Sequence, residues 1–219
     1  MTCGPHSSVQ GVHTSRLVDA PPQPWRNGGG LTHSLLAWPP GAAGGDWLLR
    51  VSVAHIEQDG PFSRFADVAR AFAVLRGAGV RLQLPAPPAA PIALRPGDAP
   101  LHFDGASAPG CSLLGGPTQD LNLMAHHRAG RPRMANASPG SVLAAATPSA
   151  TLRWRGLYST GPQRLYIDGQ ALDLAADTLA WSDTNPSATW QLDLATTRPS
   201  GPTTPHPAPA WWLCLEGPA

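Results

Sequence analysis

Short runs of alternating apolar and polar residues, each closed off by glycine or proline, recur from one end of this 219-residue chain to the other. No long segment carries an apolar stripe at the helical period of 3.6 residues. A period of two places successive side chains on opposite faces of an extended backbone, so the pattern predicts many short strands. The clearest are Trp47–Ala54, Ala71–Arg76, Val80–Leu84, Asp120–Met124, Arg164–Ile167 and Trp211–Leu215. With 23 Gly and 26 Pro the chain approaches low-complexity composition, but 42% hydrophobic residues are enough for a core, so the excess is assigned to turns. Strands without βα alternation predict an all-β sandwich or barrel. Only Ala66–Ala73 is compatible with a short helix as well as a strand.

Two turns predict antiparallel pairing: Gly77-Ala78-Gly79, and Asp168-Gly169, a pair that supplies the positive φ angles of a two-residue hairpin. A stretch rich in Ala, Ser and Pro at 136–150 divides the chain into a unit at 1–135 and a unit at 151–219. A second such stretch, Thr196–Ala210, is expected to be a mobile loop.

All 15 cationic residues other than histidine are arginine, and the formal net charge is only +1, with the arginines scattered rather than striped. That excludes an electrostatic footprint for nucleic acid. Cys3, Cys111 and Cys214 have neither disulfide-framework nor zinc spacing and read as idle thiols. The first 19 residues lack an apolar segment of signal-peptide type, and no run of about 18 apolar residues occurs. A soluble, cytoplasmic protein without membrane contact is expected.

Among motifs that carry chemistry, Pro24-Trp25-Arg26-Asn27-Gly28-Gly29-Gly30-Leu31-Thr32 is the most unusual. It serves either as a flexible turn before a strand or as a loop whose backbone N–H groups approach a ligand unshielded by Cβ atoms. It is neither a phosphate-binding P-loop nor a dinucleotide fingerprint. Elsewhere, polar groups share single strand faces: Arg50 with Ser52, and Asp120 with Asn122 and Met124, while Arg70 leads into Phe72 and Val74. Any one such face could look to solvent. Taken together, Arg26, Arg50 and Arg70 with Asn27, Asn122 and Ser52 could line a carboxylate-binding pocket inside a barrel, with Asp120 orienting an Arg or Asn. His126 and His127 are adjacent and would point to opposite faces. His6, His13, His33, His55, His102 and His206 lack ligand-like spacing, so no metal and no cofactor is indicated. No serine or cysteine nucleophile motif is visible, and Ser63 reads as a turn residue.

The ordered motifs resemble the HutD/Ves family. Residues 24–30 are similar to its PW(K/R)NGGG signature, followed by Thr32; Trp47–Ala54 resembles its W-x-x-R-(L/I/V)-S-(I/V)-A strand; Asp59-Gly60-Pro61-Phe62-Ser63 with Phe65 resembles DGPFSxF. Arg70, the Gly77/Gly79 pair, and Leu113 to Met124 (LL-x-GP-x-x-D-x-N-x-M) follow in the same order. The likeness is strong over 24–124 and loose afterwards. Two departures involve acidic groups: Phe65–Arg70 stands where the family reads FPGVDR, and Phe103-Asp104-Gly105 where FxGD is common.

The resemblance implies a bicupin, two small antiparallel β-barrels in tandem without the usual cupin metal site. It also implies a role beside histidine catabolism, binding an anionic intermediate such as urocanate or N-formylglutamate as a non-catalytic regulator. The ligand-binding residues expected from motifs and faces together are Trp25, Arg26, Asn27, Gly28, Gly29, Gly30, Thr32, Arg50, Ser52, Phe62, Ser63, Arg70, Asp120, Asn122 and Met124. A homodimer is compatible with this reading. Two other functions remain open: an enzyme acting on a small carboxylic acid with Asp120 as base, and an interaction module with filled barrels.

Overall fold

A computed structural model describes residues 9–42, 46–85, 90–144, 150–194 and 208–217. Cys3, His6, His206 and most of the Thr196–Ala210 stretch lie outside them. In chain order the first strands are β1 (His13–Arg16), β2 (Pro22–Pro24), β3 (Gly30–Trp38), β4 (Leu49–Ile56), β5 (Gly60–Pro61) and β6 (Val68–Arg76). Next come β7 (Val80–Gln83), β8 (Ile92–Leu94), β9 (Leu101–Asp104), β10 (Gly110–Leu113), β11 (Thr118–His126) and β12 (Arg131–Ala137). The remainder are β13 (Thr151–Ser159), β14 (Gln163–Ile167), β15 (Gln170–Leu174), β16 (Thr178–Ser182), β17 (Trp190–Leu192) and β18 (Ala210–Gly217). All the predicted strands are present, and the ambiguous segment around Ala66–Ala73 is extended, as the start of β6. Among the described residues the only helical pieces are single 3₁₀ turns, and no helix is long and apolar enough to cross a membrane.

Every ladder among the described residues is antiparallel. The strands form four sheets, ordered β2-β3-β4-β11-β6-β9, β5-β10-β7-β8, β1-β16-β13-β18-β12 and β15-β14-β17. One pattern occurs twice. The core order β4-β11-β6-β9 with β10-β7-β8 is repeated as β12-β18-β13-β16 with β17-β14-β15. This duplicated arrangement is the cupin-like tandem that the family resemblance implies, built all from strands as the period-two pattern predicts. Two details differ from expectation. Each half is a pair of facing sheets with open edges instead of a closed hydrogen-bonded barrel. The boundary at 135 also does not divide the sheets, since β1, inside the span 1–135, and β12, which begins there and ends at Ala137, pair with β16 and β18 in the sheet of the second half.

Three cores follow from the period-two geometry. Val51, Val53, Ala71, Ala73, Leu75, Leu121 and Leu123 point from the first large sheet onto Trp154, Tyr158, Leu179, Trp181, Trp211, Leu213 and Leu215 of the second, forming the seam between halves. The opposite face of the first large sheet meets β7, β8 and β10 through Phe72, Val74, Val80, Leu82, Leu94 and Cys111. The second half closes in the same way around Leu157, Leu165, Leu192, Trp190 and Trp212. Arg76 ties the seam, donating to Gln119 Oε1 at 2.5 Å, Thr160 O at 3.0 Å and Asp177 Oδ1 at 2.7 Å.

The two predicted turns have different fates. Asp168 (φ 48°) and Gly169 (φ 81°) connect β14 to β15 as the expected hairpin. Gly77 and Gly79 do not make a hairpin: β6 pairs with β11 and β9, whereas β7 pairs with β10 and β8, so this turn carries the chain from one sheet to the other. Positive φ at both glycines suits a sharp corner as well as a hairpin, which is why the sequence misleads here. Thr118 locks the corner by hydrogen bonds with the N–H and C=O of Gly79.

A Cβ at Gly79 would collide with the Leu94 carbonyl, whereas one at Gly97, also at positive φ, would meet open space. Gly79→Ala is therefore expected to cost about 2 kcal/mol or more and Gly97→Ala only ~1 kcal/mol. Urea denaturation followed by tryptophan fluorescence measures both; equal losses would contradict the corner geometry.

Candidate functional site

Because β4, β11 and β6 are adjacent and antiparallel, residues in register stand side by side on one face. Arg50, Met124 and Arg70 form one such row; Ser52, Asn122 and Phe72 the next; Ala54, Asp120 and Val74 the third. These rows floor a cavity of about 440 Å³ in the first half. That is ample for a small organic acid. Trp25, Arg26 and Asn27 on one side and Pro61, Phe62, Ser63 and Phe65 on another wall it.

Of the residues expected to bind a ligand, Trp25, Arg26, Asn27, Thr32, Arg50, Ser52, Phe62, Ser63, Arg70, Asp120, Asn122 and Met124 all line this cavity. Gly28, Gly29 and Gly30 do not, which corrects the reading of the glycine run as a backbone anion cradle. Its polar groups are used inside the scaffold. Gly28 N–H donates to Trp25 O at 3.0 Å and Gly29 N–H to Asn27 Oδ1 at 3.1 Å, while Gly29 O accepts from Glu57 and Gln58. Gly30 packs against the His55 backbone and the Trp25 ring so closely that a Cβ would strike the His55 carbonyl. The run shapes the turn that holds Trp25, whose Nε1 donates to Thr32 Oγ1 at 2.7 Å.

At the floor lies a buried polar relay. Arg70 Nη2 donates to Asn122 Oδ1 at 2.6 Å, and Asn122 Nδ2 donates to Asp120 Oδ1 at 2.5 Å. Asp120 is 1% exposed and Arg70 6%. Asp120 thus orients an Asn and, through it, an Arg, as the residue types suggest. Rings flank the guanidinium, whose carbon lies 5.0 Å from the centre of Phe62, 5.1 Å from Phe103 and 5.9 Å from Phe65. A desolvated cation over aromatic faces gains roughly 0.5–2 kcal/mol per good contact. All four phenylalanines of the chain gather here, since Phe72 packs 5.6 Å from Phe62. Phe65 was visible only as part of a family motif. Phe103 was likewise visible only at the phenylalanine of FxGD, and its role beside Arg70 arises from pairing across β6 and β9.

Two buried atoms of the relay have no hydrogen-bond partner: Arg70 Nε and Asp120 Oδ2. Burial pushes the Asp120 carboxyl up to about 8, against the pull of Arg70 and the Asn122 hydrogen bond. Burial brings Arg70 down to about 10, with Asp120 opposing and Arg50 reinforcing the shift. Near neutral pH the floor thus presents cationic arginines and a neutral carboxylic acid whose Oδ2–H can donate. Such a donor set has the hydrogen-bonding chemistry to match an anion. It does not fit a metal ion, since one carboxyl group lies among guanidinium groups with no imidazole in the lining, and among the described residues no cluster of His, Cys, Asp or Glu could hold one.

The family departures lie away from the cavity. Asp67, at the glycine of FPGVDR, adopts φ 58°, a left-handed conformation that Asp tolerates. Ala69, at the motif's acid, stands opposite Asp104, whose carboxylate caps the following 3₁₀ turn at Ala106. Cys111 and Cys214 are buried, and burial raises their thiols to about 12 and about 11, so neither is a poised nucleophile.

Comparison with known proteins agrees with this architecture. The HutD family profile matches residues 18–198. An uncharacterized 21.2 kDa protein in the hutC 3' region of Pseudomonas putida is 43% identical over 110 residues, 50% of this chain and 55% of that one. The chain thus spans about half the length of that curated relative. The crystal structure of a conserved protein of unknown function from Pseudomonas aeruginosa PAO1 superposes with a TM-score of 0.75 at 27% identity, covering 93% of this chain and 98% of the other. HutD from Pseudomonas fluorescens SBW25 gives 0.73 at 22% identity over 94% and 100%. Salicylate 1,2-dioxygenase from Pseudoaminobacter salicylatoxidans, at 9% identity and a TM-score of 0.54 over 97% and 84%, shares the fold alone.

The raised Asp120 pKa has a consequence for stability. From the ordinary 3.8 to about 8 the folded state holds a proton that the unfolded state has released. This group's contribution is therefore full at acid pH and is lost as pH rises through about 8. In urea titrations across that range Asp120→Asn should show a flatter pH dependence than wild type; parallel curves would contradict a neutral buried acid.

Proposed function

The chain belongs to the HutD family, associated with the histidine-utilisation locus, and from that premise we propose that its N-terminal cavity binds a small carboxylate of histidine breakdown. Urocanate and N-formylglutamate are the candidates. The protein reports the level of this compound rather than consuming it. The observation that carries the reading is the unpartnered pair at the cavity floor, Arg70 Nε and Asp120 Oδ2. Both residues line the cavity, so the unpartnered guanidinium N–H and the protonated carboxyl are the donors assigned to one carboxylate. Arg50 adds charge from the same register row, and Trp25, Phe62 and Phe65 supply flat apolar walls for the rest of the ligand. The open cavity weighs against an interaction module with a filled interior.

One observation favours a second reading. A carboxyl group with a pKa near 8 is poised for general acid–base catalysis, so Asp120 could act as a base on the bound acid. Asp120→Asn separates the two, since an enzyme would lose turnover while retaining ligand, and a sensor would have no turnover to lose.

Thermal-shift titration with urocanate, N-formylglutamate, histidine and glutamate tests the proposal. A ligand at about 100 times its Kd stabilises the native state by ~2.7 kcal/mol. For a chain of this size that corresponds to a rise in Tm of roughly 5–10 °C. One acid should produce the shift in wild type and lose it in Arg50→Ala; no shift with any of them would remove the histidine-pathway reading.

A further inference from the structure

The duplication that builds the first cavity repeats part of its floor in the second half. β4, β11 and β6 correspond to β12, β18 and β13 by their order in the sheets. In the first half Met124 stands between Arg50 and Arg70. In the second, Cys214 stands between Arg133 and Arg155. A sulfur-bearing residue flanked by two arginines thus occurs on the central strand of both halves.

The two arginines of the second row differ in their partners. Arg133 pairs with Glu216 at 3.1 Å. Arg155 is 2% exposed and makes no ion pair among the described residues. Its Nη1 donates to Ala188 O at 2.5 Å, but Nη2 is buried without a hydrogen-bond partner. A guanidinium stays protonated in a protein, and a buried charge left unmatched is costly. Arg155 also lines a cavity of about 400 Å³, with Thr151, Ser187 and Thr189 around it and Val142, Leu143 and Leu152 as its apolar wall. Asp168, the acid whose charge acts on Arg155, already accepts the Thr189 N–H at 2.8 Å.

We propose that this cavity is a second anion site, in which Arg155 Nη2 and the neighbouring hydroxyl groups bind a small monocarboxylate. The site is smaller in reach than the first. Trp212 and Ala210 stand on β18 where Asn122 and Asp120 stand on β11, so no polar relay extends inward and the ligand sits at the mouth. Occupancy neutralises the buried charge of Arg155 and adds stability independent of the first pocket.

Titration of the ¹⁵N-labelled full-length protein with sodium acetate at constant ionic strength, read by amide and arginine Nε NMR signals, tests this assignment. Two separate sets of saturating shifts are expected, one around Arg70 and Asn122 and one at Thr151, Ser187, Thr189 and the Arg155 side chain. Arg155→Gln should weaken the second set by about tenfold or more and leave the first unchanged; Arg70→Gln should do the reverse. Failure of the first set alone would count against the proposed function and leave the second site standing. Absence of saturating shifts at 151, 187 and 189 in wild type, or their persistence in Arg155→Gln, would overturn the second site. A parallel titration with inorganic phosphate that saturates these signals where acetate does not would overturn its assignment to carboxylates.

Discussion

Three adjacent strands, β4, β11 and β6, are buried on both faces, and the rest of the molecule is arranged around that constraint. One face seals the seam with the second half through Leu and Val side chains; the other carries Arg, Asn, Asp and Ser into the interior of the first half. Since side chains alternate strictly, a register slip of one residue would turn arginines into the seam and leucines into the cavity. The irregularity between Gln119 and Asp120 matters in this light. There β6 accommodates Leu75 as an extra residue, so Arg76 reaches the seam network while Val74 and Arg70 remain on the cavity side.

A polar face buried this deeply has to satisfy itself. The relay from Arg70 through Asn122 to Asp120 does so incompletely, leaving one donor and one carboxyl oxygen directed at nothing within the protein. Leaving such groups unmatched costs more than an ordinary hydrogen bond returns. The fold tolerates this because the seam and the aromatic cluster around Arg70 stabilise it elsewhere, and in the proposed function these unmatched groups are the ones to which an anion supplies a partner. The second half repeats the theme with Arg155 and a single orphaned nitrogen.

Much of this was legible in the sequence where the signal was local. Alternation along 120–124 assigned Asp120, Asn122 and Met124 to one face and Leu121 and Leu123 to the other, and the structure places them so. The Asp168-Gly169 hairpin was equally local. The misreadings came where the partner is distant in sequence. The glycine run fitted a turn and a ligand cradle equally well, because nothing local reveals that Gly30 packs against the His55 backbone and that Gly29 O accepts from Glu57 and Gln58. Gly77 and Gly79 fit a hairpin or a corner equally well until the partners of β7 are known. The placement of β1 and β12 in the second half's sheet, the approach of Phe103 to Arg70, and the orphaned nitrogen of Arg155 all depend on pairings between remote strands.

The most direct test of the account is a crystal structure of the protein grown with urocanate or N-formylglutamate at neutral pH. A carboxylate is expected in the first cavity within hydrogen-bond distance of both Arg70 Nε and Asp120 Oδ2, with the Arg70–Asn122–Asp120 relay retained. A cavity holding only water at saturating ligand, or a ligand bound with its carboxylate turned away from Arg70, would contradict it.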